Sequence, residues 1–129
     1  MQYLSAEDIL VIHSEIIDKT GGIHGVRDVG LLASIAEKPK SKLGGKELYK
    51  GIFQKCATCL ESLISYHVFV DGNKRTGVAA AARFLFVNGY ELNSTNKSLE
   101  MFVLKIATEK PDLAAISVWL KKHSRKIKA

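Results

Sequence analysis

Several features that mark exported or membrane proteins are missing from this chain. Two cysteines and two prolines stand among 129 residues. No apolar run approaches the roughly 18–20 residues needed to span a bilayer. The first residues, Met1 to Asp8, lack the basic segment and apolar core of a signal peptide, so a cytoplasmic protein with no membrane contact is expected. Alternation suited to strands is nearly absent, with short candidates only around residues 42–49 and 90–92. No internal repeat or low-complexity segment is evident. A chain of this length is expected to form one domain, residues 1–129, around one sizeable core.

The two cysteines, Cys56 and Cys59, form a C-x-x-C pattern that invites a redox or metal reading. Both lie in a helical apolar stripe, no strand precedes them, and no second pair or histidine pair accompanies them. Packing is the expected role, since a free cysteine behaves as a small core hydrophobe. The net charge of +6 is partly concentrated in Lys121, Lys122, Arg125, Lys126 and Lys128. Such a run can bind nucleic acid, but it reads more simply as a solvated helix end. Nucleic acid is therefore not the expected partner. An acidic protein partner also fits this charge.

What is present is helical periodicity. Ser5, with Asp8 three residues on, caps a helix carrying Ile9, Ile12, Ile16 and Ile17 to Gly21-Gly22. Asp28 caps a short helix through Leu31, Leu32, Ile35 and Ala36, closed by Pro39. Residues 40 to 46 read as an exposed, flexible segment. From Glu47 a longer helix carries Ile52, Phe53, Cys56, Leu60, Leu63 and Ile64 and runs out near His67. The next begins around Gly72 to Lys74, passes through the small run Ala79–Ala82, and stops at Asn88-Gly89. Two more helical patterns come after it, separated by Pro111: Leu99, Phe102, Val103 and Ile106, then Leu113, Ile116, Trp119 and Leu120. The fold class is all-α, about six helices, with a loop between the two long ones.

That loop holds the chemistry. Within His67-Val68-Phe69-Val70-Asp71-Gly72-Asn73-Lys74-Arg75 fall a base, a carboxylate, a turn glycine, an amide and two cations. An imidazole can take a proton from a hydroxyl near neutral pH; a lone histidine at a helix end is more often structural. Asp71 is a hard oxygen ligand of the kind Mg²⁺ uses beside substrate phosphates, or simply a helix cap. Gly72 permits unusual dihedrals and close approach of a ligand. The N–H groups of Asn73, Lys74 and Arg75 open a helix and suit an anion. Asn73 either holds the loop or touches a phosphate, and Lys74 and Arg75 add full charges. The plain alternative is an exposed helix start. Phe69 and Val70 are expected as core anchors. Arg27 and Arg83 are further cations that sequence does not orient, and His13, His24 and His123 are expected to be structural or exposed.

His67-x-Phe69-x-Asp71-Gly72-Asn73-Lys74-Arg75 resembles the Fic/Doc (Fido) superfamily motif, H-x-F-x-[DEN]-[AG]-N-[GK]-R. Lys74 points to the death-on-curing (Doc) branch, and the segment from Gly21 to Leu32 resembles that branch's N-terminal signature. The resemblance implies a Fic-like helical bundle, His67 as the catalytic base toward a target-protein hydroxyl, and Asp71 as the Mg²⁺ ligand. It further implies Gly72, Asn73, Lys74 and Arg75 as the loop binding the phosphates of ATP. Lys40–Lys50 falls where the family has a flap that aligns the target peptide. Two departures bear on the reaction. Lys74 replaces a second glycine, and Val78 stands where AMP-transferring relatives carry a second arginine. The resemblance therefore implies transfer of the γ-phosphate, with elongation factor Tu as the target and translation arrest as the outcome. None of the glutamates has Ser or Thr four residues earlier, so the family's inhibitory [ST]-x-x-x-E-[GN] helix is missing and a separate antitoxin is the expected partner. AMP transfer, a non-catalytic binding module and a nucleic-acid binder are the competing readings.

Overall fold

The computed structural model describes residues 1–128, and six α-helices dominate it. Ser5 opens α1 (Ala6–Thr20) with a reciprocal capping box: its side chain accepts the Asp8 N–H, and Asp8 accepts the Ser5 N–H. Asp28 caps α2 (Val29–Glu37) by accepting the Leu31 N–H, and Pro39 falls in the 3₁₀ turn Lys38–Lys40. The long helices are α3 (Gly51–Ser65) and α4 (Asn73–Val87). Thr95 and Asp112 cap α5 (Asn96–Glu109) and α6 (Leu113–Lys122).

The helix α3 is central. Its buried residues include Lys55 to Leu60 without a break, then Ser62, Leu63 and Ile64, as expected of a helix covered on all sides. Around it α4, α5 and α6 contribute Leu85, Phe102, Ile106, Ile116 and Leu120 to one apolar cluster. A second cluster joins Ile9, Leu32 and Ile35 of α1 and α2 to Cys59 and Leu63. Val68 and Phe69 belong to this second cluster, so the loop between the long helices is rooted in the core. Ala80 and Ala81 are buried, and their small side chains let α4 lie close to its neighbours.

Four details differ from the sequence reading. Residues 40–46, expected as an exposed, flexible segment, hold most of a hairpin at the short strand candidate: β1 (Lys42–Leu43) and β2 (Lys46–Glu47) pair antiparallel. Gly44 and Gly45 between them both have positive φ, +58° and +78°, as a two-residue type I′ turn requires. The helix expected from Glu47 accordingly starts at Gly51, with the Gln54 side chain accepting the Lys50 N–H. The basic C-terminal run is not one helix end. Lys121 and Lys122 close α6, whereas Arg125 and Lys126 lie on β4 (Ser124–Lys126), paired antiparallel with β3 (Tyr90–Leu92). Glu91 faces Arg125 there, with a 2.6 Å contact from Arg125 Nε to its carboxylate. Finally, Val70 is exposed and Val68 takes the core position beside Phe69. No helix among the described residues is long and apolar enough to cross a membrane.

Candidate active site

The chain leaves α3 through Tyr66 and turns sharply at His67, whose φ is +51°. A left-handed conformation costs a non-glycine residue about 1–2 kcal/mol. Here the next two residues impose it, because Val68 and Phe69 are both wholly buried. The turn drives those two inward and leaves His67 exposed.

The segment between α1 and α2 braces this loop. The Val68 carbonyl accepts the N–H groups of Arg27 (2.7 Å) and Asp28 (3.3 Å), and the Val70 N–H donates to Gly25 at 3.1 Å. Val26 and Phe69 form an isolated antiparallel bridge. The two sequence segments that point to one family are thus bonded to each other. Asn73 completes the brace. Its Oδ1 accepts the Phe69 N–H and its Nδ2 donates to the Phe69 carbonyl, each at 2.9 Å. Of the two roles open to Asn73, holding the loop is the one this geometry displays.

Asp71 is held from several sides. Its Oδ2 accepts the Ile23 N–H at 3.1 Å and its Oδ1 the Gly72 N–H at 2.8 Å. The Arg75 Nη2 stands 3.7 Å from Oδ1, and both side chains are about two-fifths exposed, 42% and 41%. Each carboxylate oxygen has lone-pair capacity beyond these bonds. Gly72 has φ +77° and supplies no side-chain cap to α4. A Cβ there would fall 2.9 Å from Ile17 Cδ1, which glycine avoids. The first backbone bond of the helix runs from the Thr76 N–H to the Gly72 carbonyl. The N–H groups of Asn73, Lys74 and Arg75 therefore lie outside the helical ladder, where the helix dipole favours an anion.

Arg75 ties the loop to α1: its Nη1 donates to the Thr20 hydroxyl and, at 2.9 Å, to the Gly21 carbonyl. Nε and Nη2 remain as donors for an anion. Lys74 is exposed, and both cations line a cavity of about 580 Å³ whose apolar wall includes Ile16, Val78, Leu99 and Val103. Val78 therefore presents a methyl surface one turn beyond Arg75.

No group of three or more His, Cys, Asp or Glu able to hold a metal occurs among the described residues. A lone, partly exposed Asp71 does fit Mg²⁺, which commonly takes one or two carboxylates and completes its shell with substrate phosphates and water. The cysteines do not compete for that role. Both are buried and free; burial pushes the Cys59 thiol up to about 12. Burial, then the neighbouring Cys59, raises Cys56 well above its ordinary value.

His67, Asp71, Gly72, Asn73, Lys74 and Arg75 are thus gathered into one loop and the helix turn it opens. Arg83 stands elsewhere, over the Phe86 ring and in a groove with Asp8 and Glu15 of α1. Arg27 contributes its backbone N–H. Sequence reasoning did not tie the supports to the site. Thr20 was not singled out, Gly22 and Ile23 stood only within the Gly21–Leu32 segment, and His13 was expected to be structural or exposed, without its bond to Asp71. The signal for His13 was available, since it falls between Ile9 and Ile17 at helical spacing on the face that turned out to be buried.

The Fic/DOC family model matches residues 3–85. Toxin Doc of Mycolicibacterium smegmatis is 37% identical over 121 residues, which cover 92% of this chain and 91% of that protein. Protein kinase doc of Escherichia phage P1 is 30% identical over 92 residues, 71% of this chain and 72% of its own length.

Proposed function

The chain belongs to the Fic/DOC family, and on that footing we propose that it is a Doc-type toxin that phosphorylates a hydroxyl of a target protein. The observation that carries this reading is one loop in which an exposed base, His67, precedes a braced carboxylate, Asp71, and an uncapped helix N-terminus bearing Lys74 and Arg75. The names of two relatives, Toxin Doc and Protein kinase doc, support the toxin and kinase parts respectively.

In the proposed reaction, His67 accepts the proton of a target serine or threonine hydroxyl as its oxygen attacks the γ-phosphorus of ATP. The bond from that phosphorus to the β,γ-bridging oxygen breaks, and ADP leaves. The N–H groups of Asn73, Lys74 and Arg75 hold the phosphate oxygens, with the Lys74 and Arg75 charges beside them. Asp71 would hold Mg²⁺, which when bound offsets charge on the phosphates. Lys74 and the methyl wall of Val78 favour γ- over α-phosphate transfer, because a second phosphate-gripping arginine is missing there. By resemblance the target is elongation factor Tu, the outcome is translation arrest, and the inhibitor is an antitoxin. A basic chain suits an acidic segment of such a partner.

The test is labelling of elongation factor Tu and of whole lysate with α- or γ-labelled ATP, using wild type and His67→Ala. Transfer of γ-label by wild type alone is expected. Transfer of α-label, with release of pyrophosphate, would replace this reading by AMP transfer. Neither label would leave a binding module.

A further inference from the structure

One buried ionisable side chain takes no part in the chemistry above. His13, in the middle of α1, is 1% exposed. Its Nε2 lies 2.7 Å from the Asp71 carbonyl oxygen. A carbonyl oxygen can only accept, so Nε2 carries the proton and donates. The imidazole also stacks on Phe69, with centroids 3.8 Å apart and planes 4° apart. Burying a polar ring is costly unless it is bonded, and packing alone at this position would be served by an aliphatic residue such as its neighbours Ile9 and Ile17.

The bond falls on a peptide that matters. The Asp71–Gly72 peptide is held at its carbonyl by His13 and at its N–H by Asp71 Oδ1. Fixed at both ends, it sets the direction of the carboxylate and the start of α4 together. We propose that His13 is a positioning residue, acting through the Asp71–Gly72 peptide to aim the carboxylate and the free N–H groups of α4 at the triphosphate. The aim at a triphosphate rests on the phosphotransfer reading; the positioning of the peptide does not.

Two substitutions separate this role from packing. His13→Phe keeps a flat ring over Phe69 and removes the donor. His13→Gln removes the ring and keeps an N–H donor of similar reach. The expected result is a fall in kcat of about 10- to 100-fold in His13→Phe, with most of it recovered in His13→Gln despite a lower melting temperature. Hydrogen–deuterium exchange of residues 69–76 is read on the same proteins. Exchange at Gly72 should quicken at least about tenfold in His13→Phe and stay near wild type in His13→Gln. The opposite order, or no difference between the variants, overturns the proposal. If wild type transfers no phosphate, the phosphotransfer reading fails while amide exchange still decides His13. If His13→Phe does not fold, wild-type protection in His13→Gln supports the role and its loss overturns it.

Discussion

Asn73 grips the backbone of Phe69 with both ends of its side-chain amide, accepting the N–H and donating to the carbonyl at 2.9 Å each. The residue that opens α4 thereby locks the residue that anchors the loop, four positions back. Asn73→Asp is nearly isosteric but turns the donor into a second acceptor facing the Phe69 carbonyl. The expected loss is about 1–3 kcal/mol in urea unfolding, with phosphate transfer down about tenfold or more. Wild-type values for both would show that the loop stands without this lock.

His67 combines exposure with a strained backbone, φ +51°. His67→Ala should abolish transfer and keep the strain, because alanine also has a Cβ. His67→Gly should be equally inactive yet more stable than His67→Ala by about 1 kcal/mol, since glycine enters this region freely. Equal melting temperatures for the two variants would mean that the turn stores no strain.

Periodicity made the helices legible because each buries one face or is buried all round, and a spacing rule reads both. Capping by Ser5 and Asp28 was legible for the same local reason. The β1–β2 hairpin was legible only in part: residues 42–49 offered a short strand candidate, but Gly-Gly between Leu43 and Lys46 reads equally as a flexible linker until the two positive φ values are seen. Residues 90–92 stood out as a strand candidate, but their partner β4 did not, because the pairing joins residues about thirty-five positions apart and a three-residue strand is too short to show a period. In the candidate site, the residues of the His67–Arg75 motif are contiguous and so were visible, whereas their supports come from α1 and the loop after it. The contacts of His13, Thr20 and Ile23 cross 48 to 58 positions of sequence, and spacing cannot report those.

Gly21 and Gly22 separate backbone strain from damage to the site. Both have positive φ, +86° and +125°. A Cβ on Gly21 meets nothing within 4 Å, whereas one on Gly22 would lie 2.6 Å from Asp71 Oδ2. Gly21→Ala should destabilise by about 1–3 kcal/mol, the cost of a side chain in a conformation that suits glycine, and Gly22→Ala by at least as much, since its Cβ also collides. Only Gly22→Ala should also displace the carboxylate and weaken binding of Mg²⁺-ATP, measured by calorimetry. Equal weakening in both variants would place the effect in α1 rather than at Asp71.

Lys55 is 1% exposed, donates to the Pro39 carbonyl at 2.9 Å and stands 3.4 Å from Glu47 on β2. It thus fastens the 3₁₀ turn and the hairpin to α3. Lys55→Met keeps the apolar stem but leaves the Pro39 carbonyl unpaired, an expected cost of about 1–3 kcal/mol. Trypsin should then cut faster at Lys42 and Lys46. Glu47→Gln should do much less, because that carboxylate is half exposed and screened. The reverse ranking in cleavage rate would mean that the hairpin is held by the ion pair and not by the buried donor.

The buried thiols set an alkaline limit on stability. Burial pushes Cys59 from its ordinary 9.0 up to about 12 and raises Cys56 as well. The neutral thiol is the form the fold favours, so the full contribution is present below pH 9. Above pH 9 the unfolded chain ionises while the folded one does not, and stability falls until the folded thiol ionises near pH 12. The slope is about 1.4 kcal/mol per pH unit for each thiol. Urea midpoints taken between pH 8 and pH 10.5 should decline in the wild type, and Cys59→Ala should decline less steeply over the same range. Thiol reagents should also react slowly at pH 7.5 and at the free-thiol rate once urea unfolds the chain. Fast reaction in the native protein would place these cysteines at a surface, against the core packing that α3 depends on.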